Sequence, residues 1–192
     1  KMEFLGAISL SDPVRVEASG SIQALQKAGI NIIMATGDHP SVAKAVAAQV
    51  GLEPNVGNNE NLENRSAYKE LKQGSIFAQV APNIKLKMVK VLQKNDKVVA
   101  MTGDGVNDAP ALRQSDVGIA MGQSGTDLAK EAADLVLLDD DISTIAQAVQ
   151  SGRVIIANIQ RIISYLIATN LSEVFVVTVG ILIWGLAARP IL

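Results

Sequence analysis

Met101-Thr102-Gly103-Asp104-Gly105-Val106-Asn107-Asp108-Ala109-Pro110-Ala111-Leu112 decides how the rest of the chain reads. An apolar run, Val98–Met101, leads into it, and glycines flank its first carboxylate. A strand that ends in such a turn presents Asp104 and Asp108 at the carboxyl edge of a sheet, where open α/β folds bind their ligands. Hard oxygen donors at this spacing suit Mg²⁺, which keeps several waters and takes one or two carboxylates plus a phosphate oxygen. The glycines let the backbone approach a phosphate closely. On its own, Gly-Asp-Gly is also what an ordinary turn looks like, because turns prefer both residues.

Two further segments lift the pattern above a turn. Met34-Ala35-Thr36-Gly37-Asp38-His39 again closes an apolar run, Ile30–Ala35. Lys85 lies just inside a helix that Pro82 opens, after a short strand expected over Phe77–Val80. A hydroxyl at Thr36, a compact cation at Lys85 and an Asp pair are the parts a transferring phosphoryl group requires: donors, charge neutralisation and a metal. By itself Lys85 reads equally as a solvated helix lysine like Lys87 or Lys90.

The predicted elements alternate. A strand is expected over Phe4–Leu10, a helix from Pro13 to about Ala28 stopped by Gly29, and a buried strand over Asn31–Ala35. A helix from about Pro40 to Val50 ends at Gly51, and Glu53–Arg65, rich in Asn, Glu and Gly, reads as an exposed loop. Then follow a helix over Pro82–Lys94, a strand over Lys97–Met101 and a helix over Asp108–Gln114. Strands over Val117–Met121 and Leu135–Leu138 close the sheet, with a short helix near Thr126–Ala133 between them. Strands alternating with helices argue a Rossmann-like α/β fold: a parallel sheet with helices on both faces. Short apolar runs agree, since strands buried on both faces need not alternate.

The 192 residues carry a hydrophobic share of 48%, concentrated in the last quarter. From Ile142 no breaker interrupts a helical pattern until Arg189-Pro190, and Ile162–Ala188 holds a single charge, Glu173. At about 1.5 Å per residue that stretch is long enough to cross a bilayer core of about 30 Å. Arg153 and Arg161 precede it, a weak sign that its N-terminal side is cytoplasmic. Asn170 and Glu173, three apart, share one helical face. An ionisable residue at lipid depth is costly and marks a functional site by default. The alternative is a protonated Glu173 hydrogen-bonded to a neighbouring helix.

A formal charge of −2 without a basic, aromatic-bearing stripe gives no reason to expect a nucleic-acid partner. Zero cysteines exclude disulfides and thiolate metal sites, and Lys1-Met2-Glu3-Phe4 lacks a signal-peptide layout. One histidine, His39, cannot make a metal site and is read as structural. Asp139-Asp140-Asp141 lacks calcium-loop spacing and is expected to cap the long helix.

These segments resemble the phosphorylation domain of P-type cation-transporting ATPases, within the haloacid dehalogenase superfamily. The resemblance runs through Asp12-Pro13-Val14-Arg15, Thr36–His39, Phe77–Pro82, Val99–Met121, Gly125–Asp134 and Val136–Asp140. It implies a catalytic set of Thr36, Gly37, Asp38, Lys85, Asn107 and Asp108. Thr36 and Gly37 would contact a phosphoryl oxygen, Asp38 would organise the loop where nucleotide and phosphate meet, and Lys85 would neutralise the phosphoryl charge. It further implies Mg²⁺ at Asp104, with Asp108 ordering the loop and the metal's waters, and ATP as the phosphoryl donor. The stretch Tyr165–Val174 resembles the fifth membrane helix of reticulum-type calcium pumps, which implies a cation held by Asn170 and Glu173. Sodium/potassium-type pumps share Asn-x-x-Glu, so Ca²⁺ leads while Na⁺ and K⁺ stay open.

The family's Asp-Lys-Thr-Gly acceptor sequence does not occur in these residues. The chain is therefore expected to be an internal piece of a multi-pass membrane pump. Residues 1–150 would be part of a cytoplasmic phosphorylation domain and residues 151–192 a stalk and transmembrane helix. Without its nucleophile, such a piece is expected to be inactive alone. Two other readings stay open: a membrane-anchored phosphatase of the same superfamily, and a non-catalytic Mg²⁺-binding module.

Overall fold

A computed structural model describes residues 5, 13–63, 67–73 and 75–187. The strand expected over Phe4–Leu10 lies outside them except for Leu5, as do Asp12 and Arg189-Pro190. The described chain forms two compact units, Lys1–Ala146 and Gln147–Leu192.

The first unit is a succession of strand–helix–strand steps. Helix α1 (Ala18–Lys27) precedes strand β1 (Met34–Ala35), and α2 (Pro40–Val50) follows it. A 3₁₀ turn, Asn59–Glu63, and helix α3 (Ala67–Gln73) lead to β2 (Ile76–Phe77) and α4 (Pro82–Gln93). Next come β3 (Ala100–Gly103), a 3₁₀ turn at Val106–Asp108, α5 (Ala109–Gln114) and β4 (Val117–Met121). Helix α6 (Asp127–Ala132) and β5 (Leu135–Leu137) complete it. Among the described residues all ladders are parallel. They come in two pieces: β1 beside β2, with Met34 opposite Ile76, and β3-β4-β5, with Thr102 opposite Ile119 and Ala120 opposite Val136.

Punctuation in the sequence sets the helix bounds. Pro40 sits in the first turn of α2, and Gly51 ends it at φ 79°, a left-handed conformation that costs glycine nothing. Leu52 N–H then reaches back to the Ala47 carbonyl at 2.9 Å. Helix α1 begins at Ala18 instead of Pro13, because Ala18 N–H closes a turn on the Arg15 carbonyl at 3.1 Å. Strand β1 is shorter than Asn31–Ala35, since its partner β2 offers only two residues. Strand β3 lies further along than Lys97–Met101, in register with β4, and leaves Val98 88% exposed.

Glu53–Arg65 departs most from its reading as an exposed loop. Leu62 is buried, Val56 bridges to Ile76, and Gly57 N–H donates to the Ile76 carbonyl at 2.8 Å. A Cβ on Gly57 would lie 2.2 Å from the Phe77 ring, so only glycine lets the segment pass there. One apolar cluster joins α1, α2 and β2 through Ile22, Ala47 and Ile76. A second places Leu62, Leu71 and Phe77 against Ile84 and Met88 of α4, and a third packs Leu112, Ala120 and Ala129. These cores fix the carboxyl ends of β1 and β3, where the site lies.

Helix α7 (Ile142–Ala187) runs 46 residues, or about 70 Å at 1.5 Å per residue. Its run from Ile142 to Gly185 is long and apolar enough to cross a bilayer, and large side chains such as Phe175 and Trp184 are exposed along it. Asp141 caps its start, accepting from Ser143 N–H at 2.8 Å and the Ser143 hydroxyl at 2.6 Å.

Candidate functional site

The turn after β1 is held by its own side chains. The Thr36 hydroxyl donates to Asp38 Oδ2 at 2.9 Å and accepts from Asp38 N–H at 3.1 Å. Its backbone is joined to the segment that follows β2. Thr36 N–H donates to the Phe77 carbonyl at 2.9 Å, Val80 N–H to the Thr36 carbonyl at 2.9 Å, and Gln79 N–H to the Asp38 carbonyl at 3.0 Å. Gly37 and Asp38 are exposed at the tip. Two residues past Val80, Pro82 starts α4, whose first turn carries Lys85.

Lys85 joins this loop to the one after β3. Its Nζ lies 2.7 Å from Asp108 Oδ1, with the two side chains 18% and 9% exposed. That burial and pairing distinguish it from the exposed Lys90. Asp108 Oδ2 accepts weakly from Gly105 N–H at 3.4 Å. Gly103 makes the arrangement possible, because a Cβ there would lie 2.6 Å from the Asp108 Cβ.

Asp104 and Asn107 are both exposed on the same loop, and their side chains hydrogen-bond to no partner among the described residues. The Asp104 carbonyl accepts from Thr126 N–H at 2.8 Å, which fixes the backbone beneath the carboxylate. Asp108 Oδ1 is paired with Lys85, while the Asp104 carboxylate stands exposed and unpartnered among the described residues. No group of three or more His, Cys, Asp or Glu side chains suited to a metal occurs among the described residues. One free carboxylate on a polar loop fits an ion that keeps its waters, and does not fit a protein cage.

Asn170 and Glu173 belong to the second unit, on an exposed stretch of α7. Neighbouring hydroxyls are satisfied inside the helix: Thr169 donates to the Leu166 carbonyl at 3.0 Å and Ser172 to the Thr169 carbonyl at 2.7 Å. Asn170 and Glu173 are left as polar groups without a hydrogen-bond partner among the described residues. The sequence singled out neither Arg15 nor Thr126 for a role, and Asp140, expected with its neighbours to cap the long helix, binds the 123–124 backbone instead while Asp141 makes the cap. Asp140 is 5% exposed, with φ 54°, and its oxygens accept from Gln123 N–H at 2.9 Å and Ser124 N–H at 2.8 Å. Those donors, Gln123 foremost, hold its carboxyl down at about 2. The Asp triplet was the available signal, but nothing in it separates the buried member from the caps.

A family profile described as haloacid dehalogenase-like hydrolase matches residues 2–116, and a second profile of the same description matches residues 85–149. The chain belongs to the haloacid dehalogenase-like hydrolase family. Over 98% of its length it is 43% identical to a calcium-transporting ATPase of Bacillus cereus, covering 22% of that protein. Over all of its length it is 46% identical to a probable cation-transporting ATPase F of Mycobacterium tuberculosis, again covering 22% of that protein. A sodium/potassium exporting P-type ATPase of Schizosaccharomyces pombe is 40% identical over 94% of the chain. The chain spans about a fifth of the length of these curated relatives. Among solved structures, a zinc-transporting PIB-type ATPase in an E2.Pi state superposes with TM-score 0.67 at 34% identity, covering 88% of this chain and 24% of that one. This haloacid dehalogenase-like chain therefore resembles a segment of P-type cation-transporting ATPases, and α7 is long and apolar enough to cross a bilayer.

Proposed function

We propose that this chain is the Mg²⁺- and phosphoryl-handling part of an ATP-driven cation pump, together with one membrane helix of its ion path. In that pump ATP phosphorylates an aspartate supplied by sequence beyond these residues. Residues 1–150 contribute to the cytoplasmic phosphorylation domain, and residues 151–192 form the stalk and span. The observation that carries this function is the Lys85–Asp108 pair at 2.7 Å, set beside the exposed Asp104 and Asn107.

Lys85 supplies the positive charge at the loop edge, and Asp108 fixes where that charge sits. The Thr36 hydroxyl, the Gly37 N–H and the Asn107 amide are the neutral donors for phosphoryl oxygens. Asp104 holds Mg²⁺, and that ion, when bound, neutralises phosphoryl charge and orients the transferring group. Asp38 braces the Thr36 turn by the two hydrogen bonds between them. Donors fixed in advance in this way need no reorganisation when charge develops.

Asn170 and Glu173 supply two oxygen ligands to the transported cation. Ca²⁺ is the proposed ion, since the Bacillus cereus relative bears that name and the chain has no cysteine for softer metals. Phosphoenzyme formation by the full-length protein in membrane vesicles tests the proposal. Incorporation of the ATP γ-phosphate should depend on Ca²⁺, vanish in Asp104→Ala and be absent from the 192-residue chain alone. Undiminished incorporation in Asp104→Ala defeats the metal role, and incorporation driven by Na⁺ and not Ca²⁺ defeats the choice of ion.

A further inference from the structure

The loop between β4 and α6 touches two distant places at once. At its far end Thr126 N–H donates to the Asp104 carbonyl at 2.8 Å. At its near end Gln123 and Ser124 donate their N–H groups to the two oxygens of Asp140, at 2.9 and 2.8 Å. Asp140 lies two residues before α7, and Asp141 caps that helix. The backbone of the loop packs closely at its two glycines. A Cβ on Gly122 would lie 2.6 Å from the Leu137 carbonyl oxygen, and one on Gly125 2.0 Å from that of Met121. Asp140 is fixed from other sides as well: its N–H donates to the Leu137 carbonyl at 3.2 Å, and Arg15 Nη1 donates to its carbonyl.

We propose that residues 122–126 act as a rigid relay between the Asp104 loop and the first turn of α7, with Asp140 as the positioning residue that transmits the movement. Each contact is a backbone hydrogen bond or a doubly held carboxylate, so a shift of the Asp104 backbone pulls on Thr126, then on Gln123 and Ser124, then on Asp140. Nothing in the relay requires contact between a metal and Asp140. The Mg²⁺ arm of the test rests on the assignment of Asp104 proposed above, and a second arm does not.

In the first arm, Mg²⁺ is titrated into the 192-residue chain in detergent micelles while backbone amide resonances are followed. Resonances of residues 103–108, 123–124 and 142–146 should move with one midpoint. In Asp140→Asn the 103–108 shifts should persist with the same midpoint, while those at 142–146 fall at least about threefold, the scale of losing one charge-assisted hydrogen bond. Movement at 103–108 with none at 142–146 in the unsubstituted chain overturns the relay. No movement at 103–108 overturns the metal assignment instead.

The second arm uses Thr126→Pro, whose φ of −68° suits proline while the N–H to Asp104 is lost. Amide exchange at 143–146 should become about five- to tenfold faster, the factor a net hydrogen bond of about 1 kcal/mol implies. Thr126→Val, which keeps the N–H and loses only the hydroxyl cap, should leave those amides unchanged. In an Asp140→Asn background the proline effect should disappear. Unchanged exchange at 143–146 in Thr126→Pro, or an equal effect in both backgrounds, overturns the relay whatever Mg²⁺ does.

Discussion

In the first unit, the two buried aspartates are fully engaged: Asp108 by Lys85 and Gly105, Asp140 by Gln123 and Ser124. On α7 the corresponding polar pair, Asn170 and Glu173, stands exposed on an apolar helix with no partner among the described residues. A buried charge is tolerable only when donors or a counter-charge surround it, and both aspartates have that company within the first unit. Polar groups at lipid depth need the same company, and neighbouring helices are where membrane proteins find it. The aspartates of the first unit are held by partners within it, while Asn170 and Glu173 have none among the described residues.

The largest effect is expected at Lys85. Lys85→Met leaves a buried carboxylate without its cation, and we expect the first unit to lose roughly 2–4 kcal/mol in urea unfolding. Adding Asp108→Leu should recover much of that loss, because removing both charges removes the desolvation problem. A loss that the double variant deepens would mean that the pair contributes more than charge balance. Gly103→Ala comes next. Its new methyl group meets the Asp108 Cβ at 2.6 Å, which should cost about 1–3 kcal/mol by overpacking. Gly105→Ala, 3.6 Å from Asp108 Oδ2, should cost less than about 0.5 kcal/mol. Equal costs at the two glycines would show that close approach to Asp108 is not what Gly103 provides.

Local chemistry was legible and distant pairing was not. Pro40 and Gly51 bound α2 on both sides, and Pro82 placed the start of α4, because proline and glycine act through their own backbone. The placing of Thr36 after β1, and of Asp104 and Asp108 after β3, was legible from the glycine turns that follow the apolar runs. That Lys85 pairs with Asp108 across 23 residues depends on how α4 packs, which no local pattern records. Glu53–Arg65 looked like a loop because its composition is polar, yet Leu62 is drawn into a core shared with Leu71 and Phe77. Asp140 was hidden for a different reason. Its backbone is left-handed, and its partners Gln123 and Ser124 lie 17 and 16 residues away, beyond any local pattern.

Acid acts on the first unit through Asp140. The Asp140 carboxyl sits at about 2 against an ordinary 3.8, held down first by Gln123 N–H. A carboxyl lowered in the folded state contributes stability that is whole above pH 3.8 and fades as pH falls toward 2. Asp139 is lowered too, chiefly by the Thr144 hydroxyl. The unfolding midpoint should therefore drop across that window, and Asp140→Asn should flatten the drop. An unchanged slope in Asp140→Asn would assign the acid response to other groups.

The smallest stability effect, and the one that separates the two regions most sharply, belongs to Glu173. Glu173 is exposed in this chain, so Glu173→Gln should alter the stability of the 192-residue protein by no more than about 0.5 kcal/mol. If Glu173 is a ligand as proposed, the same change in the full-length protein should lower the affinity for the transported cation about ten- to a hundredfold, as a charged contact of about 1.5–3 kcal/mol implies. Lys85→Met should show the reverse weighting, destabilising the first unit while leaving cation affinity at the membrane site within about twofold. Cation binding by calorimetry on both full-length variants decides the matter. If Glu173→Gln binds the ion as tightly as the parent, the glutamate is a buried structural acid of the helix bundle and not a ligand.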